Sequence, residues 1–359
     1  RYQTAYQVAQ DLESKGGLLL ESSGNNTFSL AVEIAPEFAR DGLRVLRDAV
    51  LHPAFNPATI QREREAQLTE IREIQDEIVD FGRLVLRRHF FGEHPFSSDP
   101  NGTLESVEAI DKACLRSLYK RLIVGSNSAL VVTGNFDPDT LLPHLEAFLA
   151  QLPDWHFRSR NHPFADPATT GEITEVLNRE QAVVFDAYPD VGFKPEREIV
   201  GEVLDELLSD MSGPLFMSVR ENQSLAYFVG ASRLLGYNYG SFFLYAGTQP
   251  GQVGKVFDCF DHELNRIRGG QITPEELQAT TTRLKIQNRF SLQTAANRAA
   301  RVALNALYHK PIMDWVDYED RLNAVTIEDL QAFATTWLVP EKRLRLTITP
   351  DSGNPVQEA

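Results

Sequence analysis

Glu105–Gly134 reads ESVEAIDKACLRSLYKRLIVGSNSALVVTG and Asp320–Thr349 reads DRLNAVTIEDLQAFATTWLVPEKRLRLTIT; the two superpose without a gap at an offset of 215. Ala109-Ile110 falls on Ala324-Val325, Leu115 on Leu330, Leu118 on Phe333 and Val131 on Leu346. In each stretch apolar residues recur at helical spacing and then run together, which predicts an amphipathic helix followed by an apolar strand. A second pair agrees: Asn56-Pro57-Ala58-Thr59-Ile60-Gln61 opens a helix as Thr273-Pro274-Glu275-Glu276-Leu277-Gln278 does, 217 residues on. Both place an N-cap residue before a proline at the first helical position, where the missing N–H costs nothing. A looser third pair sets the strand Phe28–Pro36 against Phe242–Pro250. Self-similarity at a nearly constant spacing marks a duplicated unit.

Working outward, the stretch 156–171 is rich in Pro, Asp, Ser and Arg without periodicity and reads as a linker. It divides the chain into copies at 1–155 and 172–359. Copy two reads as strand Glu172–Ala187, helices Pro195–Leu208 and Pro214–Asn222, strands Leu225–Ser232 and Gly240–Thr248, three helices, and strand Arg343–Thr349. The expected fold class is therefore α+β: two tandem copies, each a mostly antiparallel sheet with helices on one face. At the 215 offset Glu172 would map to −43. Copy one thus starts late, and the expectation is a fragment of a longer polypeptide. Tyr237, Tyr239, Phe242, Phe243 and Tyr245 read as one strand with a single buried face.

Composition bounds the function. Of 359 residues, 42% are hydrophobic and 24% charged, ordinary for a globular protein. Thirty-five Lys+Arg against fifty Asp+Glu give a net charge of −15, which repels nucleic acid and anionic membrane surfaces. Cys114 and Cys259 stand far apart and fit neither a disulfide framework nor a paired-cysteine zinc site. No run approaches the roughly eighteen apolar residues of a membrane span, so a soluble protein is expected, with its compartment open.

The helix read over Pro57–Ile78 carries Glu63 and Glu70 seven apart, on one face beside Ile60, Ile71 and Ile78. Two readings stand side by side: a solvated helix neutralised by Arg62, Arg64 and Arg72, or a metal-ligating carboxylate with a second that orients a histidine ligand. His52 and His94 each precede proline and read as structural.

Several motifs, in order, resemble the pitrilysin/insulinase (M16) zinc metallopeptidase family. They are Leu12-Glu13-Ser14-Lys15-Gly16-Gly17, Leu51-His52-Pro53-Ala54-Phe55, Glu63-x6-Glu70, Phe91-Gly92-Glu93-His94-Pro95-Phe96, Asn101-Gly102-Thr103, Val132-Thr133-Gly134-Asn135 and Leu215–Tyr227 (LFMSVRENQSLAY). The resemblance implies two M16-like domains and a zinc site built from His-x-x-Glu-His plus a downstream glutamate. By motif that glutamate is Glu70, with Glu63 behind it, but no two histidines of this sequence stand in His-x-x-Glu-His spacing. The resemblance therefore implies no metal held by this chain; zinc would sit in a partner half, or here if the motif precedes Arg1. Arg220 and Tyr227 match the pair that the half opposite the zinc presents to the substrate carbonyl, and are the expected catalytic residues. Phe28, Ser29, Leu30, Ala31 and Val32 match the edge strand that adds an extended peptide. The expected function is the non-catalytic, substrate-binding half of an M16-type peptidase. Its expected partners are a catalytic half or a second copy of itself, and extended peptides. An active zinc endopeptidase and a structural assembly subunit are the alternatives.

Overall fold

The chain folds into helices and strands whose starts are written locally. Asn56 Oδ1 accepts from the Ala58 N–H at 2.9 Å, and Thr273 exchanges bonds with Glu276, Thr273 N–H to Glu276 Oε2 at 2.7 Å and Glu276 N–H to Thr273 Oγ1 at 3.2 Å. The computed structural model describes residues 5–74, 77–158, 162, 166–177, 181–193, 195–211, 213–237 and 239–350. In chain order these form α1 (Ala5–Glu13), β1 (Leu18–Ser23), β2 (Phe28–Glu33), α2 (Ala39–Leu51), α3 (Pro57–Ile74), α4 (Ile78–Phe91), α5 (Leu104–Glu108), α6 (Lys112–Leu122) and α7 (Pro138–Leu149). There follow β3 (Gly171–Val176), β4 (Ala182–Asp190), α8 (Pro195–Ser209), α9 (Pro214–Phe216) with a π turn (Met217–Asn222), β5 (Ala226–Leu235) and β6 (Gly240–Thr248). Helices α10 (Val253–Arg268), α11 (Pro274–Ser291), α12 (Ala295–Leu307), α13 (Tyr318–Ala324) and α14 (Ile327–Trp337) and strand β7 (Leu344–Thr349) complete it.

The offsets carry into these elements. Shifted by 215, α6 lands on 327–337, which is α14; shifted by 217, α3 lands on 274–291, which is α11. Two compact units are formed, each from three stretches: Arg1–Leu68, Thr103–Arg160 and Arg289–Asp314 in the first, Thr69–Gly102, Asn161–Asn288 and Trp315–Ala359 in the second.

In the first unit β1 and β2 form a two-stranded antiparallel sheet, with Leu18 opposite Glu33 and Ser23 opposite Phe28. Leu12 and Val45 are buried, Arg44 of α2 ties Asp11 of α1 at 3.0 Å, and the Tyr119 hydroxyl donates to the Val50 carbonyl at 2.8 Å. The strand expected after α6 does not form: no strand is present over 129–133. β7, which the 215-residue offset sets against it, is held by β3 and β4, whereas the strands formed by the described residues of 1–155 are β1 and β2, paired with each other. A strand without a ladder partner leaves its N–H and C=O groups unpaired.

The second unit is built on a five-stranded sheet ordered β3-β7-β4-β6-β5, with β3 parallel to β7 and the other pairings antiparallel. Its helices are not confined to one face. Val184 and Tyr188 of β4 with Phe242, Leu244 and Ala246 of β6 pack beneath α8, α10 and α14. Val183, Phe185 and Ala187 of β4, Phe243 of β6 and Leu344, Leu346 and Ile348 of β7 pack with Val85, Leu86, Phe90 and Phe91 of α4. The reason lies in β4, whose AVVFDAY run lacks alternation and is buried throughout, so both faces need cover. Gly82 lets α4 approach: a Cβ there would stand 2.4 Å from Phe185 Cε2.

Four further readings are corrected. The helix expected over 57–78 is two, α3 and α4, with 75–76 outside the described residues; Ile78 packs at the sheet rather than extending the stripe of α3. The strand expected over 172–187 is two, β3 and β4, with 178–180 outside the described residues. Five helices, not three, connect β6 to β7. Tyr237 and Tyr239 precede β6, which is buried on both faces because β4 and β5 flank it under two helix layers.

Candidate functional site

The segment from α9 to β5 carries Arg220 and Tyr227, and its backbone departs from regular geometry three times. Met217–Asn222 forms a π turn, a form that occurs chiefly as single turns and often at functional sites. Ser224 then takes the left-handed conformation at φ +50, uncommon for a residue with a Cβ. Its N–H donates to the Arg220 carbonyl at 3.1 Å, and the Leu225 N–H to the Val219 carbonyl at 2.8 Å, which closes the turn. Finally, β5 bulges: Ala226 pairs with Thr248 and Phe228 with Gly247, so Tyr227 has no cross-strand partner. A bulge re-aims the side chain of its extra residue. Tyr227 is 51% exposed and Arg220 is exposed, its guanidinium carbon 5.2 Å from the Phe216 ring centroid.

Two residues that sequence reasoning passed over stand opposite the bulge. Thr248 is fully buried and its hydroxyl donates to the Leu225 carbonyl; Gly247 receives the Phe228 ring, whose Cε1 would lie 2.3 Å from a Cβ there. Nothing in the Ala246-Gly247-Thr248 run signals a bulge across the sheet, since the register that creates it is a long-range pairing.

The other expected residues are distributed differently. Phe28, Ser29, Leu30, Ala31 and Val32 all lie in β2 of the first unit; Phe28 is 50% exposed, and β2 is paired along one edge only among the described residues. Glu70 is exposed and accepts from the Asn101 side chain at 3.3 Å, while the exposed Glu63 is bridged by its neighbour Arg62 at 2.7 Å. His94 caps the turn at Pro95: its Nδ1 accepts from the Phe96 N–H at 3.1 Å and its Nε2 lies 3.0 Å from the His162 carbonyl, to which it must donate. Both ring nitrogens are thereby occupied, and burial holds the His94 pKa below its ordinary value.

Fold and site together define an α+β protein that presents an exposed arginine and tyrosine from a strained turn. Comparison with known proteins agrees with the α+β fold. The family model described as the peptidase M16 inactive domain matches residues 109–284. The Bacillus subtilis protein YmxG, described as an uncharacterized zinc protease, is 23% identical over 356 residues, spanning 98% of this chain and 85% of that one. Among solved structures, a peptidase M16 inactive domain from Pseudomonas fluorescens superposes with a TM-score of 0.87 at 17% identity, over 99% of this chain and 86% of that one. A protease from Helicobacter pylori follows at 0.84 and 14%, over 98% and 86%. Residues 109–284 thus resemble the peptidase M16 inactive domain, and the whole chain resembles proteins described as zinc proteases.

Relatives named zinc proteases raise the question of zinc here. Among the described residues no three His, Cys, Asp or Glu side chains gather as a metal would require, and Glu70 is engaged by Asn101. The described residues do not fit a zinc ion, which takes three protein ligands even in open sites. No helix among the described residues is long and apolar enough to cross a membrane.

Proposed function

We propose that the chain is the non-catalytic, substrate-binding half of an M16-type zinc peptidase. It encloses extended peptide together with a zinc-bearing half, or with a second copy of itself, and presents Arg220 and Tyr227 to the scissile carbonyl. The observation that carries this reading is the backbone between those two residues. A π turn, a left-handed serine and a bulge each cost conformational energy, and they follow one another between Met217 and Phe228, the segment that carries the exposed cation and the exposed phenol. Such donors aimed at a carbonyl oxygen stabilise the negative charge that develops there during acyl transfer, and doing so asks no metal ligand of this chain.

Peptide is held in this reading by strand addition along β2, Phe28–Val32 included. The support is its second edge, unpaired among the described residues, beside the exposed Phe28 and Leu30. The two halves of the chain are read as copies of one domain, on the strength of the element offsets given above.

The test is reconstitution with a zinc-bearing M16 half that cleaves peptides only when paired. Arg220→Ala or Tyr227→Phe should each lower kcat by about 10²-fold, the size expected for loss of one transition-state donor. Equal turnover by wild type and both variants would make the pair scaffold and overturn the reading.

A further inference from the structure

We infer that Thr248 is a positioning residue, which fixes the direction of Tyr227 by clamping the bulge from the neighbouring strand. This rests on the reading of Tyr227 as a donor to the peptide carbonyl.

The argument starts from Leu225. Its N–H is bonded to the Val219 carbonyl, one residue before Arg220, and its carbonyl to the Thr248 hydroxyl, two residues before Tyr227. One peptide segment thus joins the turn that carries the cation to the bulge that carries the phenol. Beyond the bulge, Phe228 is seated against Gly247, where the absence of a side chain admits its ring. Tyr227 itself has no cross-strand partner, so its backbone direction is set by these two flanks. A bulged residue held on one side alone is free to rock, and displacement of a catalytic group by about 1 Å can cost about 10²-fold in rate.

Thr248 suits the task by its burial. It is fully inaccessible to solvent, so no water replaces its hydroxyl at the Leu225 carbonyl when it is lost. Valine has the same shape without the donor; serine keeps the donor without the methyl. A merely structural threonine and a positioning one therefore differ in what these substitutions move.

The experiment compares Thr248→Val, Thr248→Ser, Tyr227→Phe and the double variant Thr248→Val/Tyr227→Phe in the reconstituted peptidase, with melting temperatures measured alongside. Thr248→Val is expected to lower kcat about tenfold with KM within about twofold, and Thr248→Ser to recover most of the loss. In the Tyr227→Phe background Thr248→Val should cost less than about twofold, because the group it positions has already been removed. The inference is overturned if Thr248→Val lowers the melting temperature but leaves kcat unchanged, or if its cost is the same with and without the Tyr227 hydroxyl. Should Tyr227→Phe itself leave kcat unchanged, the reading of Tyr227 fails first and the positioning role falls with it.

A readout independent of any partner uses the full chain labelled with 3-fluorotyrosine. The Tyr227 resonance, assigned by its loss in Tyr227→Phe, should be a single sharp line in wild type and in Thr248→Ser, and broadened or split in Thr248→Val. An unchanged line in Thr248→Val also overturns the inference.

Discussion

Asp205 of α8 offers a sharp test of how charge is buried in the second unit. Its Oδ1 is shielded from solvent and has no hydrogen-bond partner, and burial pushes its pKa up to about 7 against the attraction of Arg233. Asp190, Glu206 and Glu202 push it further in the same direction. In the unfolded chain an aspartate titrates near 4, so the folded state binds this proton more tightly than the unfolded state does. The sign follows directly: the stabilisation is complete below pH of about 4 and is lost as pH rises through about 7. Linkage across that window gives a loss of about 4 kcal/mol by pH 8, of which about 2.5 kcal/mol falls between pH 5 and pH 8. Asp205→Asn keeps the shape and cannot ionise. Urea unfolding of wild type and variant at pH 5 and pH 8 should show the variant gaining about 2 to 3 kcal/mol relative to wild type at the higher pH. Titrations of groups remote from Asp205 cancel in that comparison. An equal difference at both pH values would mean that Asp205 ionises freely in the fold, and that the shielding of its carboxyl oxygen is not felt as an electrostatic cost.

Gly82→Ala should lower stability by about 1 to 3 kcal/mol, because its Cβ would meet the Phe185 ring at 2.4 Å in a packed core; a thermal melt at or above the wild-type midpoint would show that α4 can shift without cost. Proline scanned through Ser29–Glu33 should remove peptide binding by the assembled protein while the fold survives, since proline blocks an edge without emptying a core. Unchanged binding across a folded set would leave the peptide held by side chains. Dialysed chain should carry well under one zinc per molecule by elemental analysis, and a stoichiometric ion would require ligands beyond Glu70.

The parts of this fold legible in the sequence are those decided within a few residues or by a repeated pattern. Asn56-Pro57 and Thr273-Pro274 mark helix starts, and the 215-residue offset sets α6 on α14 from the sequence alone. The break between α3 and α4 was hidden because Ile74 and Ile78 stand four apart, a spacing that a single helix also satisfies. The second helical layer was legible in principle: Ala182–Tyr188 runs apolar on consecutive residues, the mark of a strand buried on both faces. The site divides in the same way. Arg220 and Tyr227 were identified by motif, but the π turn has no distinctive composition in Met-Ser-Val-Arg-Glu-Asn, and a left-handed serine is the opposite of what the glycine rule anticipates. The Thr248 clamp depends on pairing across strands, which local periodicity does not encode.

The place of β7 has a consequence for synthesis. It leaves the ribosome after β3, β4, β5 and β6, yet it lies between β3 and β4, and β3 pairs with no other strand among the described residues. While the 154 residues that follow Asp190, up to Leu344, are being translated, at roughly 5–20 residues per second, β4 presents an open apolar edge for about 8 to 30 s. An edge of that kind recruits any strand within reach. The nascent protein therefore passes through a window in which a chaperone, or a neighbouring nascent copy, competes for the slot that β7 must fill.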